Sequence, residues 1–141
     1  MEIINIRNEV ILFPNELGND IYENINKRLK SKEGFCDKKY GCYVRFISLN
    51  EIIEAKIDFN DCSINFLIDY TFEMFKPKIN VKYFAVVDMI YPEGSLIKVL
   101  NFESVSALIL NEQLPIGKRI NVTLKEISFN NIYQCVAEIV F

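Results

Sequence analysis

The chain has 141 residues, half of them apolar, with a net charge of −3 and no histidine. This length suits one packed domain or two very small ones, and the charge does not favour general polyanion binding. Without histidine, the commonest general base and zinc ligand are missing, and no glycine-rich phosphate loop occurs. We therefore expect a non-catalytic protein without metal or cofactor. No apolar run is long enough to span a bilayer, and the first residues lack the basic start and apolar core typical of a signal peptide, so we expect an intracellular protein.

The start of the chain predicts a strand followed by a helix. β-branched residues predict a strand over residues 2–12, bounded by Pro14. The helix is indicated by apolar residues that recur at every fourth position, namely Leu17, Ile21, Ile25 and Leu29. Asn19 can cap the N-terminus of this helix, and Gly34 is a natural stop.

Three strands are predicted after the helix. The stretch 41–59 alternates well enough for two strands with a break near Asn50. A turn at residues 60–61 then precedes a long strand over 63–75. Together these elements predict an α+β domain over residues 1–79, with one helix covering one face of an antiparallel sheet.

From residue 80 the pattern changes to short strands without a helical stripe. Five segments predict strands: 80–91, 94–100, 106–111, 118–129 and 132–141. Five short strands suggest a small closed barrel, and five is the strand number of the OB-fold. The sequence therefore predicts a second domain, an all-β five-stranded barrel, over residues 80–141.

The four cysteines favour packing over metal or redox chemistry. Cys36 and Cys42 are separated by five residues, a wider spacing than in typical structural zinc sites. Cys42, Cys62 and Cys135 lie in apolar, strand-like runs, where cysteine behaves as a small buried hydrophobe, whereas Cys36 lies in a turn. A redox pair is not favoured, because intracellular disulfides are rare.

The order of short motifs resembles a known family. In chain order the motifs are Leu12-Phe13-Pro14, Gly18 before the helix, Glu33-Gly34 with Cys36, Tyr40-Gly41 opening a strand, and Phe75 to Pro77. With the barrel that follows, they resemble the seventh subunit of eukaryotic RNA polymerase II and its counterparts in polymerases I and III and in the archaeal polymerase. On this resemblance Gly34, Cys36, Tyr40 and Gly41 form a structural turn from helix to strand, which the glycines shape.

The resemblance implies a non-catalytic stalk subunit of a DNA-directed RNA polymerase. Residues 1–79 would be an RNP-like tip domain that docks on the core, in the clamp region of the largest subunit. Residues 80–141 would be an S1-like OB barrel that contacts nascent RNA weakly. The implied partner is a smaller helical stalk subunit, with no membrane contact. The implied location is the nucleus of a cell, or the cytoplasmic factory or virion of a large DNA virus.

The resemblance also assigns candidate residues. It places core docking in two loops, at Pro14, Asn15, Leu17, Gly18, Phe59, Asn60 and Asp61. In the barrel, positive charge and aromatic character, rather than the resemblance, make Lys98, Lys118, Arg119 and Tyr91 the candidate RNA contacts. Leu96 stands where the family's barrel has an RNA-stacking aromatic, and residues 80–141 hold five basic and six acidic residues. Both features predict weak RNA binding.

Two other functions stay open at this stage. The chain could be a free-standing OB-fold protein that binds single-stranded RNA and carries an accessory domain. It could also be an enzyme that uses the carboxylates of Asp58, Asp61 and Asp69, although no spacing separates these from solvated turn charges. Co-isolation with large polymerase subunits would distinguish the stalk subunit from both alternatives.

Overall fold

The computed structural model describes residues 1–18 and 20–141, which form nine strands and one α-helix. The strands are β1 (Glu2–Leu12), β2 (Cys36–Asp37), β3 (Gly41–Ile57), β4 (Ile64–Phe75), β5 (Lys82–Tyr91), β6 (Gly94–Val99), β7 (Val105–Leu110), β8 (Arg119–Asn130) and β9 (Ile132–Ile139). The helix α1 is Ile21–Lys30, and a short 3₁₀ helix precedes it at Pro14–Glu16. None of the helices in the described residues is both long enough and apolar enough to cross a membrane.

The chain forms two compact units that are not continuous in sequence. Unit 1 consists of residues 1–33 and 43–75, and unit 2 consists of residues 34–42 and 76–141. The segment 34–42, which contains β2 and the first two residues of β3, therefore groups with the barrel strands although it lies early in the chain. We call this segment the β2–β3 hairpin.

Unit 1 is built on a long antiparallel pair, β1 and β4, in register from Glu2 opposite Met74 to Leu12 opposite Ile64. The strand predicted over residues 2–12 is confirmed. Side chains alternate between two faces of a strand, and one face of this pair is buried. Its core members are Ile6, Val10, Leu12, Phe66, Ile68, Tyr70, Phe72 and Met74. Within unit 1 the strand order is β1-β4-β3.

The predicted helix is confirmed but begins later than its apolar stripe. Asp20 caps α1, because its carboxylate accepts the Glu23 N–H at 3.1 Å. Ile25 and Leu29 are fully buried, as the stripe predicts. Leu17, in contrast, lies before the helix, directly after the 3₁₀ helix. The expected cap, Asn19, lies outside the described residues.

The predicted break near Asn50 is wrong, because β3 continues without interruption from Gly41 to Ile57. Asparagine disfavours strands when only local propensity is considered. Here its side-chain amide donates to Thr71 Oγ1 at 2.8 Å and to Asp69 Oδ1 at 3.3 Å, both on β4. Partners distant in sequence therefore hold Asn50 in a strand.

The cysteine prediction holds for two of its three buried positions. Cys42 and Cys135 are buried, but Cys62 is exposed. Cys62 lies in the turn between β3 and β4 with a φ of 59°, and its N–H donates to the Asp58 carbonyl at 2.8 Å. Cys36 lies in β2 rather than in a turn. Residue 62 adopts a left-handed backbone conformation in the tight turn before β4. Its side chain therefore lies outside the core.

Unit 2 contains a closed five-stranded barrel in the order β5-β6-β7-β9-β8. Neighbouring strands are antiparallel except β7 and β9, which are parallel. The interior is lined by Ala85, Val87, Ile97, Val99, Val105, Ala107, Ile109, Ile120, Val122, Leu124, Tyr133, Cys135 and Ala137. The five predicted strands and their closure are confirmed, and this barrel is compatible with an OB-like fold.

Candidate functional site

The two loops predicted for docking leave unit 1 at the same end of its sheet. The pairing of Leu12 with Ile64 aligns the end of β1 with the start of β4. The loop at 13–18 follows β1 and the turn at 58–63 precedes β4, so both lie at that end. Antiparallel pairing thus brings together two segments that are about 45 positions apart in the sequence.

Four apolar side chains are exposed at this end, and we call them the tip patch: Ile11, Phe13, Ile57 and Phe59. Phe59 is 88% exposed, although an aromatic side chain of this size gains most from burial. Ile11, Ile57 and Phe59 line a groove of about 510 Å³, together with polar residues of the turn. An apolar patch of this kind at the end of a sheet is suited to a protein partner.

The groove also contains an unsatisfied hydrogen-bond acceptor. Asn65 lines the groove, and its Nδ2 donates to Glu9 at 3.0 Å. Its Oδ1 is buried and accepts no hydrogen bond from any described residue. An unsatisfied buried acceptor of this kind costs free energy in the folded protein.

The loop beside the tip patch is held in place by Glu16. This carboxylate accepts the Phe13 N–H at 3.2 Å and pairs with Arg28 of α1, and the Glu16 carbonyl accepts the Asn24 amide at 2.7 Å. The hydrogen bond from Arg28, followed by that from the Phe13 backbone, lowers the pKa of Glu16 below its ordinary value of 4.5. The loop is therefore a fixed platform for Phe13.

The predicted docking residues differ in their exposure to solvent. Pro14, Asn15 and Gly18 are exposed, and Leu17 is half-buried. Asn60 and Asp61 are exposed in the turn, and Asn60 lines the groove beside Phe59. The Asp61 carboxylate accepts the Ser63 N–H at 2.9 Å, and its hydrogen bonds with Ser63 lower its pKa.

Sequence reasoning found Phe59 but missed Ile11, Phe13 and Ile57 as exposed apolar positions. A usable signal existed at position 11. In β1 the residues at positions 6, 10 and 12 alternate toward the core, so position 11 must face away from it. Ile57 is the last residue of β3, and the pattern of the sequence did not reveal that it is exposed.

On the barrel, two of the predicted RNA contacts lie in one row of outward-facing residues. Arg119 of β8 is opposite Val86 of β5, and Val86 is opposite Lys98 of β6. Two strand spacings separate Arg119 and Lys98, so their Cα atoms are about 10 Å apart. Lys118 precedes Arg119, and both are exposed. We call the outward surface of β5 and β8, together with the adjoining Lys118, the β5–β8 face.

The two ends of this row differ in electrostatic character. Lys98 donates to Glu103 at 2.7 Å and lies 3.6 Å from Asp88, and its pKa is raised mainly by the hydrogen bond to Glu103. Lys118 and Arg119 form no salt bridge within residues 1–18 and 20–141. The cations at the β8 end are thus the ones that remain open to a phosphate.

An aromatic side chain that was not assigned from the sequence lies beside these cations. Phe84 is 40% exposed and lies opposite Asn121, two residues along β8 from Arg119 and on the same face. Tyr91 lies at the far end of β5, opposite Gly94, where its hydroxyl contacts the Met89 sulfur at 3.4 Å. The structure therefore brings Phe84, rather than Tyr91, close to the cations.

The net charge of unit 2 is positive, whereas the net charge of residues 80–141 alone is −1. Unit 2 has nine basic and seven acidic residues, a net charge of +2, and unit 1 has seven basic and twelve acidic residues, a net charge of −5. The β2–β3 hairpin contributes Lys38 and Lys39, and the segment before β5 contributes Lys76 and Lys78. Counting residues 80–141 alone misses these four cations.

The carboxylates considered for catalysis have structural partners. Asp58 accepts the Asn60 N–H at 2.9 Å, and Asp69 lies 3.8 Å from Arg7 and accepts the Asn50 amide. Within the described part of the chain, no three Cys, Asp or Glu side chains form a group able to hold a metal ion.

The chain thus combines a sheet unit with one helix and a closed five-stranded barrel. Neither a model of a known protein family nor a curated protein sequence matches it.

Proposed function

We propose that this protein is a non-catalytic stalk subunit of a multisubunit DNA-directed RNA polymerase, with unit 1 as the RNP-like docking part and the barrel as its S1-like OB part. The observation that carries the proposal is the tip patch at the end of unit 1. Both loops that the family resemblance assigns to docking meet at that end, and its apolar side chains are exposed.

The character of the tip patch supports docking on a protein. Interface cores are depleted in charged residues and enriched in aromatic ones, and a few buried anchors carry most of the binding free energy. Phe13 and Phe59 are aromatic and exposed at 46% and 88%. We propose that they are the anchors, and that their target is the clamp region of the largest polymerase subunit.

The barrel has the features of a weak single-strand binder. An exposed Phe84 next to Arg119 offers one stacking platform beside a cation, and such stacking contributes roughly 1–3 kcal/mol per base. Since unit 2 has a net charge of only +2, phosphate attraction is modest. Nascent RNA held nearby by the polymerase would bind through a high effective concentration.

The remaining parts of the proposal follow from the same resemblance. A smaller helical subunit is the proposed stalk partner. The proposed site of action is the nucleus of a cell, or the cytoplasmic factory or virion of a large DNA virus.

Affinity purification from the native source tests the proposal directly. We expect the large polymerase subunits to co-purify with the tagged protein. The double variant Ile57→Asp, Phe59→Asp should weaken this association by roughly thirtyfold or more, the loss expected for hot-spot residues of about 2 kcal/mol. Ile3→Asp is the matched control, since Ile3 is 67% exposed on the same sheet but lies at the opposite end of β1.

Two results would contradict the proposal. The first is a purification that recovers no polymerase subunit. The second is a double variant that remains folded, by circular dichroism, and still co-purifies in stoichiometric amounts.

The alternative function is a free-standing OB-fold protein that binds single-stranded RNA. The observation that favours it is the grouping of Phe84, Lys118 and Arg119 on the β5–β8 face, in a unit of positive net charge. The isolated chain distinguishes the two functions. A stalk subunit should bind single-stranded RNA no more tightly than roughly tens of micromolar at physiological salt, near non-specific affinities. Nanomolar binding by the isolated chain would favour the alternative.

A further inference from the structure

The β2–β3 hairpin contains two free thiols in direct contact. Cys36 of β2 and Cys42 of β3 are paired opposite each other across the antiparallel ladder, and the next pair joins Asp37 to Gly41. Their Sγ atoms are 2.7 Å apart. Both residues belong to unit 2, so this contact lies within one compact unit.

Directly opposed positions in an antiparallel ladder have a separation that a disulfide can bridge. Their Cα atoms are about 4.5 or 5.5 Å apart, depending on the type of pair, and disulfides span about 4.4–6.8 Å. Cys36 and Cys42 can therefore be joined without movement of the backbone.

The hairpin is held so that the two thiols stay together. The Ser104 hydroxyl donates to the Gly34 carbonyl at 2.6 Å, and the Tyr133 hydroxyl donates to the Asp37 carbonyl at 2.8 Å. Gly34 and Gly41 have φ values of 89° and 100°, which favour glycine and shape both ends of the hairpin. The approach of the two sulfur atoms is thus fixed by bonds to the barrel.

The other two cysteines lack this arrangement. Cys62 is exposed in the turn of unit 1, and Cys135 is buried in β9. Within the described residues, Cys36 and Cys42 form the one pair of sulfur atoms in contact. Cys36 is half-buried and within reach of a small oxidant, whereas Cys42 is almost completely buried.

We propose that Cys36 and Cys42 are a reversible dithiol–disulfide site that responds to hydrogen peroxide. The Cys36 thiolate attacks one peroxide oxygen and breaks the O–O bond, which gives a sulfenic acid and hydroxide. The Cys42 sulfur then attacks the sulfenic sulfur, forms the S–S bond and displaces hydroxide. The thiols lose two electrons in total, and their two protons convert both hydroxides to water. A dithiol reductant reverses the reaction by exchange.

Oxidation would convert a hairpin held by hydrogen bonds into a covalently closed one. The disulfide would join β2 to the first residues of β3, the strand that continues into unit 1. Oxidation would therefore act on the hairpin itself. Neither cysteine belongs to the tip patch or to the β5–β8 face. This inference does not depend on the proposed function.

The test uses the complete wild-type protein with hydrogen peroxide as the probe, followed by alkylation in denaturant, which exposes the buried thiols, and then by proteolysis and mass spectrometry. We expect the number of alkylated thiols to fall from four to two, with Cys62 and Cys135 still modified. The peptides that contain Cys36 and Cys42 should be linked, with a mass lower by two hydrogen atoms. Dithiothreitol should restore all four thiols.

Two variants control the test. Cys62→Ser should still lose two thiols on oxidation, because Cys62 is not part of the pair. Cys36→Ser, checked by circular dichroism for folding, should form no internal disulfide. The proposal is overturned if Cys36 and Cys42 stay fully alkylated after peroxide treatment, if Cys36 is oxidised to a sulfinic acid without pairing, or if the only disulfides link two chains through Cys62.

Discussion

Unit 1 and unit 2 are both built mainly from β-strands, but they present different surfaces to other molecules. Unit 1 has an open sheet whose strands end in exposed apolar side chains, and its net charge is −5. Unit 2 closes its strands into a barrel, and its net charge is +2. An open sheet keeps free edge strands, which a closed barrel lacks. In unit 1 the exposed apolar side chains of the tip patch lie at one end of the sheet.

The side chains that fill the interiors of the two units also differ in size. Phe72 is fully buried, and its ring centroid lies 5.0 Å from that of Tyr43 and 5.6 Å from that of Phe46. The barrel interior is lined mostly by smaller aliphatic side chains, with Tyr133 as its aromatic member. Unit 1 therefore depends on a few large residues.

The largest expected effect follows from this dependence. Phe72→Ala should lower the free energy of unfolding by roughly 3–5 kcal/mol, because it leaves a cavity among aromatic rings. Denaturant unfolding followed by circular dichroism measures the loss. Phe72→Leu is the control, and it should cost less because it retains most of the volume. A loss below roughly 1 kcal/mol for Phe72→Ala would contradict the statement that the stability of unit 1 depends on a few large buried residues.

An intermediate effect is expected on the β5–β8 face. Lys118→Gln with Arg119→Gln should make the salt dependence of single-stranded RNA binding shallower by about 1.4 in log–log slope, since each lost phosphate contact contributes about 0.7. Lys98→Gln should change the slope less, because Asp88 and Glu103 already neutralise Lys98. Fluorescence titration at several salt concentrations gives the slopes. A change of about 0.7 for Lys98→Gln, the full contribution of one phosphate contact, would show that the ion pairs of Lys98 do not persist in solution.

The smallest expected effect concerns pH and the loop of unit 1. The pKa of Glu16 is lowered in the folded state, so its contribution to stability is complete above its ordinary pKa of 4.5 and is lost as the pH falls through the lowered value. Glu16→Gln should remove this part of the acid sensitivity. Unfolding curves at pH 7 and below pH 4.5 for both proteins measure it. An unchanged pH dependence in Glu16→Gln would contradict the role of the Arg28 contact.

Local periodicity was sufficient to predict much of the fold. β1, the buried stripe of α1 and all five barrel strands follow from patterns within about a dozen residues. The predicted break at Asn50 failed because its partners Thr71 and Asp69 are about 20 positions away. The position of Cys62 depended on turn geometry, which the apolar run around it did not reveal.

The candidate sites were less predictable than the strands. Phe59 was assigned through the family resemblance, but its neighbours in the tip patch depend on the register of β1 with β4. Lys98 was a reasonable choice from charge alone, yet Asp88 and Glu103 reach it only in the folded barrel. No sequence pattern indicated that the β2–β3 hairpin groups with the barrel strands.

That grouping has a consequence for biosynthesis. The hairpin leaves the ribosome before any strand of the barrel, and its hydrogen-bond donors Ser104 and Tyr133 emerge at least 60 residues later. Domains usually fold in order as the chain emerges. Here the segment 34–42 gains its bond from Ser104 only after β6 has been made, and its bond from Tyr133 only once the last strand, β9, has been made. A nascent chain arrested near residue 79 would expose the hairpin to protease, and one arrested after β9 had cleared the exit tunnel would protect it.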